Sequence, residues 1–509
     1  MRGKSLMFQG TGSSVGKSML CAAMLRIFKQ DGLRAAPFKA QNMALNSFAT
    51  SEGLEMGRAQ VTQAEAAGME PSVRMNPVLL KPTSDRRSQV VVNGRPVGTM
   101  SAAEYEAYKP QLRETVRETY EALERDVDAV VIEGAGSPAE INLHAGDIVN
   151  MAMAKAADAP VILIGDINPG GVFAALYGTV KLLPEDEQRR IKGILINKFR
   201  GDVKILEPGL KMLEELLGIP VIGVIPWMEI DMEDEDSVTE RFERRAGGGD
   251  VRAAIVRLPH ISNFTDFNLL GSEPGVSVNY VTRAAELRDA DIILLPGTKN
   301  TIEDLNWLKQ RGLADEIVRH ARRGKTVFGI CGGYQMLGNV LRDPEHSESR
   351  IPEIAGLGLL DFDVTFHADK RTVQSCGEIR CESGWLSALD GVMLDGYEIH
   401  SGTNAYGPGC APFLYIGGDV DGVMNPAGNV LGTYLHGAFD TGNLWRALVN
   451  RVRREKGLGE SDAPSLTMAQ FREREFDRLA DMVRRNIDMD AVYAILRGGD
   501  APLGRWNDA

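Results

Sequence analysis

Long apolar runs are missing from this sequence. No stretch approaches the roughly 18 residues that a membrane-crossing helix needs, so no membrane partner is expected. Met1-Arg2-Gly3-Lys4 leads into a short apolar segment and then a glycine-rich loop, without the longer apolar run and small-residue cleavage site of a signal peptide. Cysteine is scarce. The five residues Cys21, Cys331, Cys376, Cys381 and Cys410 are odd in number and widely scattered, which excludes a disulfide framework. Cys376 and Cys381 lack CxxC spacing and a second pair for zinc. A reducing, cytoplasmic setting is expected. Positive charge is in deficit: 57 Lys and Arg face 70 Asp and Glu, a formal net charge of -13. Nucleic-acid binding rests on Lys and Arg against phosphates, so no nucleic-acid partner is expected. A locally basic site for an anionic ligand is still compatible with this balance, and so is a homo-oligomer.

What remains is an ordinary globular composition, with 43% hydrophobic and 25% charged residues. A chain of 509 residues is too long for one core, so at least two domains are expected. Short apolar segments recur with helical stretches between them. Leu6–Gln9, Ala35–Phe38, Ala129–Glu133, Pro160–Gly165, Gly193–Asn197 and Val221–Ile225 read as strands of one parallel α/β sheet. Residues 231–250 turn highly charged and end in a glycine run, which reads as a linker. The pattern then restarts with Ala253–Leu258, Asp291–Leu295 and Thr326–Ile330. The organisation expected is therefore α/β, with two parallel-sheet domains at 1–230 and 251–450, the linker at 231–250, and a helical, Arg-rich extension at 451–509.

Gly10-Thr11-Gly12-Ser13-Ser14-Val15-Gly16-Lys17-Ser18 follows an apolar strand and opens a helix, the context of a phosphate-binding loop. Its N–H groups and the helix N-terminus point at phosphate oxygens. Thr11, Gly12, Val15, Gly16, Lys17 and Ser18 are the expected ATP contacts, with Lys17 toward the β- and γ-phosphates and Ser18 toward Mg²⁺. Thr11 stands where the usual first glycine would be, and Gly10 lies one position earlier. Lys39, after the second strand, is a second candidate cation for the phosphoryl group, against the plain reading of a surface lysine. Glu133 ends a strand before Gly134-Ala135-Gly136, where an acid can serve Mg²⁺. Asp166 ends the next strand in the same way; for both acids a helix cap competes. Asn197 ends a further strand and is a candidate to read a purine base.

Gly329-Ile330-Cys331-Gly332-Gly333 places a cysteine between a strand and a helical stretch, the setting of a nucleophile elbow. The helix N-terminus favours thiolate, and the Gly332 N–H can serve an oxyanion. A buried inert cysteine is the alternative reading. Six histidines lie in the same half: His260, His320, His346, His367, His400 and His436. His436, in Tyr434-Leu435-His436-Gly437, is preferred as the base on local context, with His400 as its rival. Gly297, in Pro296-Gly297-Thr298-Lys299, is the candidate second oxyanion donor, or merely part of a strand-exit turn.

Taken together the motifs resemble the cobyric acid synthase family of corrinoid-pathway glutamine amidotransferases. The resemblance rests on Phe38-Lys39-Ala40-Gln41-Asn42-Met43-Ala44-Leu45-Asn46-Ser47, Gly57-Arg58-Ala59-Gln60, Met75-Asn76-Pro77-Val78-Leu79-Leu80-Lys81-Pro82 and Glu133 to Leu143 in the first half. In the second half it rests on Leu295 to Thr301, Cys331 to Gly338, Gly396-Tyr397-Glu398-Ile399-His400 and Tyr434 to Gly437. It implies a dethiobiotin-synthetase-like ATPase joined to a flavodoxin-like, triad-type glutaminase, with Cys331 as nucleophile and His436 as its partner. It also implies ATP- and Mg²⁺-dependent amidation, with L-glutamine as nitrogen donor, of the b, d, e and g carboxylates of adenosylcobyrinic acid a,c-diamide. Two departures stand out. Asp166-Ile167-Asn168-Pro169-Gly170-Gly171 replaces an expected Asp-Ile-Asp-Arg-Gly-Gly. Ala438 stands where triad glutaminases usually carry Glu, so the third member is absent or comes from elsewhere. The rival readings are a cobyrinic acid a,c-diamide synthase, or a non-enzymatic P-loop switch with a degenerate glutaminase module.

Overall fold

The computed structural model describes residues 4–43, 47–84, 87–228, 247–461 and 466–506. The chain divides into two units, Met1–Ser237 with Arg472–Ala509, and Val238–Phe471. Residues 231–246 of the expected linker lie outside the described residues.

The first unit is built on a six-stranded sheet of β1 (Lys4–Gly10), β2 (Ala35–Phe38), β3 (Ala129–Glu133), β4 (Val161–Asp166), β5 (Ile191–Phe199) and β6 (Val221–Pro226). Their order is β6-β5-β4-β1-β3-β2, and every pairing is parallel. The near-continuous apolar runs of β1, β3 and β4 follow from this, because helices cover both faces and both must be apolar. With β1 central, the loop after Gly10 opens at the carboxyl edge between the ends of β3 and β4. That edge is where open α/β sheets bind ligands. Helix α1 (Lys17–Gln30) packs on one face through Leu20, Leu25, Ile27 and Phe28.

The second unit starts with five adjacent parallel strands. They are β7 (Val251–Val256), β8 (Val276–Val281), β9 (Ile292–Leu295), β10 (Thr326–Ile330) and β13 (Val430–Thr433), in the order β8-β7-β9-β10-β13. Beyond β13 the sheet continues through strands paired mostly antiparallel. These include the long pair β11 (Phe362–Ile379) and β12 (Met393–Tyr406). The expected parallel architecture is therefore present in both units, and the second gains an antiparallel wing. The wing sends β12 back across the carboxyl ends of the parallel strands, where Tyr397 pairs with His436.

The Arg-rich C-terminal stretch does not stand as a unit of its own. Residues from Arg472 onward group with the first unit. The helix Met468–Asn486 buries Phe476, Leu479, Ala480 and Val483 in the same cluster as Leu25 and Phe28. Each large apolar side chain so buried contributes roughly 1.5–3 kcal/mol. Arg26 of α1 adds ion pairs to Glu473 (2.7 Å) and Asp477 (2.8 Å).

Candidate functional site

Two constellations form, one in each unit. In the first, the loop from Gly10 to Ser18 connects β1 to α1. Gly16 has φ +96°, and a Cβ there would lie 2.2 Å from Asn197 Nδ2, so only glycine fits. Lys17 Nζ folds back on the loop, donating to Gly12 O (2.7 Å) and Gly136 O (3.1 Å). The Thr11 N–H is tied to Ile164 O at 2.9 Å. Val15 is buried, and its carbonyl accepts from Asn197 Nδ2 at 2.8 Å, so Asn197 braces the loop from β5.

Glu133, at the tip of β3, collects the other predicted groups. Its Oε1 accepts from Ser18 Oγ and from Lys39 Nζ, each at 2.8 Å. Its Oε2 accepts from Gln63 Nε2 at 2.6 Å. Burial works to raise the Glu133 carboxyl. The Lys39 charge and the hydrogen bonds from Lys39, Gln63 and Ser18 outweigh it and hold the group below its ordinary value. A hydroxyl and an ionised carboxylate side by side are the hard oxygen donors that suit Mg²⁺, which takes one or two carboxylates and keeps its other positions for water and phosphate. Among the described residues no group of three or more His, Cys, Asp or Glu is arranged to hold a metal. Asp166 is engaged otherwise: it pairs with Lys198 (3.1 Å) and accepts from Asn168 N (2.8 Å), so the changed segment still turns on this acid. Gln63, in the helix Arg58–Ala67, carries no sequence signal beyond its nearness to Gly57-Arg58-Ala59-Gln60.

In the second unit Gly297, Cys331, Gly332 and His436 each lie just beyond the carboxyl end of a parallel strand, while the rival His400 lies within β12. Cys331 follows β10 with φ +50° and ψ −111°, a strained conformation for a residue with a side chain. The turn is tight: a Cβ on Gly333 would sit 2.1 Å from Leu295 O. The Cys331 N–H is held by Thr433 O at 2.9 Å, and the sulfur faces Ile399 O at 3.6 Å. Gly297 follows β9, and a Cβ there would approach His436 Cε1 to 3.0 Å. Gly332 opens the helix Gly332–Met336 directly after Cys331.

His436 follows β13 and is fully buried. Its Nδ1 lies 2.7 Å from Asp266 Oδ2, and the other oxygen of Asp266 accepts the Gly437 N–H at 2.9 Å. Asn263 Nδ2 reaches His436 Nε2 at 3.1 Å. The Tyr397 ring stacks on the imidazole, with centroids 5.0 Å apart. Burial disfavours a charged imidazole here. The Asp266 carboxylate outweighs it, with help from the hydrogen bond and charge of Cys331, and pushes His436 up to about 10. A protonated imidazole held in this way would favour negative charge on a neighbouring sulfur.

His400, the rival base, is committed elsewhere. Its Nδ1 faces Gly402 O (2.9 Å), its Nε2 faces Glu398 (3.4 Å), and its ring stacks on Tyr434 at 3.9 Å. The local sequence after His436 lacks a carboxylate; the one that stands at its Nδ1 is Asp266, in a short 3₁₀ turn (Phe264–Phe267) after β7. Sequence reasoning missed Asp266. Nothing in Asn263-Phe264-Thr265-Asp266 marks it; only the rule that function gathers at strand carboxyl ends pointed there.

Comparisons with known proteins agree with this division. Residues 6–237 match a CobQ/CobB/MinD/ParA nucleotide binding domain, and residues 252–444 match a CobB/CobQ-like glutamine amidotransferase domain. The chain is 54% identical over 502 residues to the cobyric acid synthase of Alkaliphilus metalliredigens, covering 97% of this chain and 100% of that one. It is 52% identical to the cobyric acid synthase of a Thermoanaerobacter species, covering 96% of this chain and 98% of that one. It is 50% identical to that of Salmonella arizonae, covering 98% and 100%.

Proposed function

The chain belongs to the cobyric acid synthase family of glutamine-hydrolysing carbon–nitrogen ligases, and from that premise we propose that it amidates the b, d, e and g carboxylates of adenosylcobyrinic acid a,c-diamide to give adenosylcobyric acid. The proposal places this reaction in the cytoplasm, where the Cys331 thiol stays reduced. The observation that carries the nitrogen-supply half is the Asp266–His436–Cys331 alignment at the ends of three parallel strands.

The chemistry follows from two poor reactants. Hydroxide leaves a carboxylate badly, so ATP transfers its γ-phosphoryl group to the carboxylate oxygen, giving an acyl phosphate and ADP. Ammonia then adds to that carbonyl and phosphate departs. Lys17 and Lys39 neutralise charge on the transferring group. Ser18 and Glu133 would hold Mg²⁺, whose chemistry is to screen the phosphate oxygens. Thr11, Gly12, Val15 and Gly16 contribute the loop backbone, and Asn197 keeps that loop in shape. Free ammonia is mostly protonated in neutral water, so glutamine is its carrier. Cys331 sulfur adds to the side-chain amide carbon, the N–H groups of Gly297 and Gly332 steady the oxyanion, and His436 protonates the leaving ammonia. Water then cleaves the thioester, releasing glutamate and restoring the thiol.

The test of substrate is product mass. Incubation with the a,c-diamide, ATP and glutamine should end in four added amides; a corrinoid that stopped at two would favour the diamide synthase reading.

Asp266 gives a second expectation. In Asp266→Asn the partner of Nδ1 is no longer an anion, so His436 loses its charge stabilisation and its fixed tautomer. Glutaminase turnover should fall by roughly 10²–10⁴-fold, the range for triad acids, while amidation from ammonium salts persists. His400→Ala should leave glutaminase turnover within a few-fold of the parent. The reverse ranking of these two variants in a glutamate-release assay would overturn the triad.

A further inference from the structure

Glu348 takes no part in the chemistry above, yet it stands within a residue of it. It lies in a loop wound round the buried Asp343 carboxylate, which accepts the N–H groups of Ser347 (2.8 Å), Glu348 (2.9 Å) and Ser349 (2.8 Å). The loop is therefore held in place independently of Glu348's own side chain. Glu348 Oε1 lies 3.1 Å from Thr301 Oγ1, and Thr301 Oγ1 is also 3.1 Å from Gln335 Oε1. The N–H groups of Thr301 and Ile302 favour the ionised Glu348 carboxylate, without a hydrogen bond to its Oε2. Thr301 sits against the nucleophile turn: a Cβ on Gly332 would be 3.2 Å from Thr301 Oγ1. Gln335 is tied to the same turn, its N–H bonding to Cys331 O at 2.9 Å.

The hydrogen bonds here do not balance. One hydroxyl proton on Thr301 faces two acceptors, Gln335 Oε1 and Glu348 Oε1. Glu348 Oε2 is buried and has no hydrogen-bond partner among the described residues. An unpartnered buried carboxylate oxygen is costly, and a surplus of acceptors calls for a ligand rich in donors. The substrate of the adjacent thiol is such a ligand. Glutamine carries an α-ammonium with three N–H donors and a positive charge, a few bonds from the amide that Cys331 attacks.

We propose that Glu348 holds the α-ammonium of the glutamine substrate and so selects the amino acid over simple amides. This rests on the glutaminase reading of Cys331. Burial leaves the empty site with its carboxyl pushed up to about 7, and an arriving cation would favour the ionised form. Glu348 is thus a specificity residue, apart from the bond-breaking groups.

The test compares glutamine with 4-carbamoylbutanoate, which is glutamine without its α-amino group, in glutamate- or glutarate-release assays on the full chain. In Glu348→Gln the KM for glutamine should rise roughly 10- to 100-fold, as for loss of a hydrogen bond to a charged group, with kcat within about threefold. The kcat/KM for the des-amino analogue should be the same in parent and variant. Glu348→Asp, which keeps the charge, should recover part of the glutamine KM. An unchanged KM, or equal losses with both amides, would overturn the assignment. Ammonium-supported amidation reports whether the variant folds. A parent protein that released no glutamate at all would overturn the glutaminase reading itself, a result distinct from the failure of Glu348 alone.

Discussion

Replacing Cys331 by alanine is expected to abolish glutamine-dependent amidation while leaving amidation from added ammonium salts. The expected loss of glutaminase turnover is on the order of 10⁴–10⁶-fold, because removing the nucleophile of a triad costs as much as removing the triad. The alanine should be tolerated. Cys331 already occupies a positive-φ position, and the turn is pinned by Thr433 O and the close approach of Gly333 to Leu295. The ammonium arm should survive because free ammonia, though a minor species near neutral pH, needs no thiol to attack an acyl phosphate. Raising the pH of that assay raises the free ammonia and should raise the rate of the variant. The measurement is corrinoid amide formation with each nitrogen source. If the ammonium-supported rate collapsed together with the glutamine-supported one, the two sites would not divide the reaction as proposed.

Lys17→Ala should instead stop amidation from either nitrogen source, by roughly 10²–10⁴-fold, the scale of removing one preorganised charge from a phosphoryl-transfer site. Lys17 is buried, and its ammonium is directed over the loop by Gly12 O and Gly136 O. These two acceptors are neutral carbonyls, and glutamate release by the variant reports whether the chain still folds. The glutaminase half should still release glutamate, because its groups all belong to the other unit. Near-parental product formation by this variant, with either glutamine or ammonium, would sink the phosphate-loop assignment. The pair of variants thus separates carboxylate activation from nitrogen supply.

The nine segments read as strands are all strands, and their boundaries shift by no more than a few residues. Parallel strands buried on both faces announce themselves as short apolar runs, which is why they were legible. The antiparallel wing of the second sheet was not. Its long strands are only partly buried, with scattered buried positions as in Met393–Tyr406, and give no continuous apolar run to detect. The C-terminal helix Met468–Asn486 was visible as a helix, but its allegiance was not. An amphipathic helix shows that it has an apolar face without naming the surface that will cover it.

Two of the candidate sites are written in the chain itself. The turn from Gly10 to Ser18 and the turn at Cys331 are local: a strand, a few glycines and a helix dictate backbone direction over nine residues or fewer, so the chemistry can be read where it stands. The presence of two α/β units was legible for the same reason. Tertiary structure alone decided which groups serve those turns. His436 and Asp266 are 170 residues apart in sequence, Lys39 and Glu133 are 94 apart, and Thr301 and Glu348 are 47 apart. Lys39 and Glu133 meet because they follow or end the adjacent strands β2 and β3, whereas His436 and Asp266 follow strands that are not neighbours but belong to one sheet. That convergence sets His436 against Asp266 and leaves His400 facing Gly402 and Glu398, which is the basis for proposing His436 and Asp266 as partners of Cys331. A motif records what the backbone does nearby. The partner of a buried charge is set by how the strands are ordered in the sheet and where their loops converge, and no short stretch of sequence carries that.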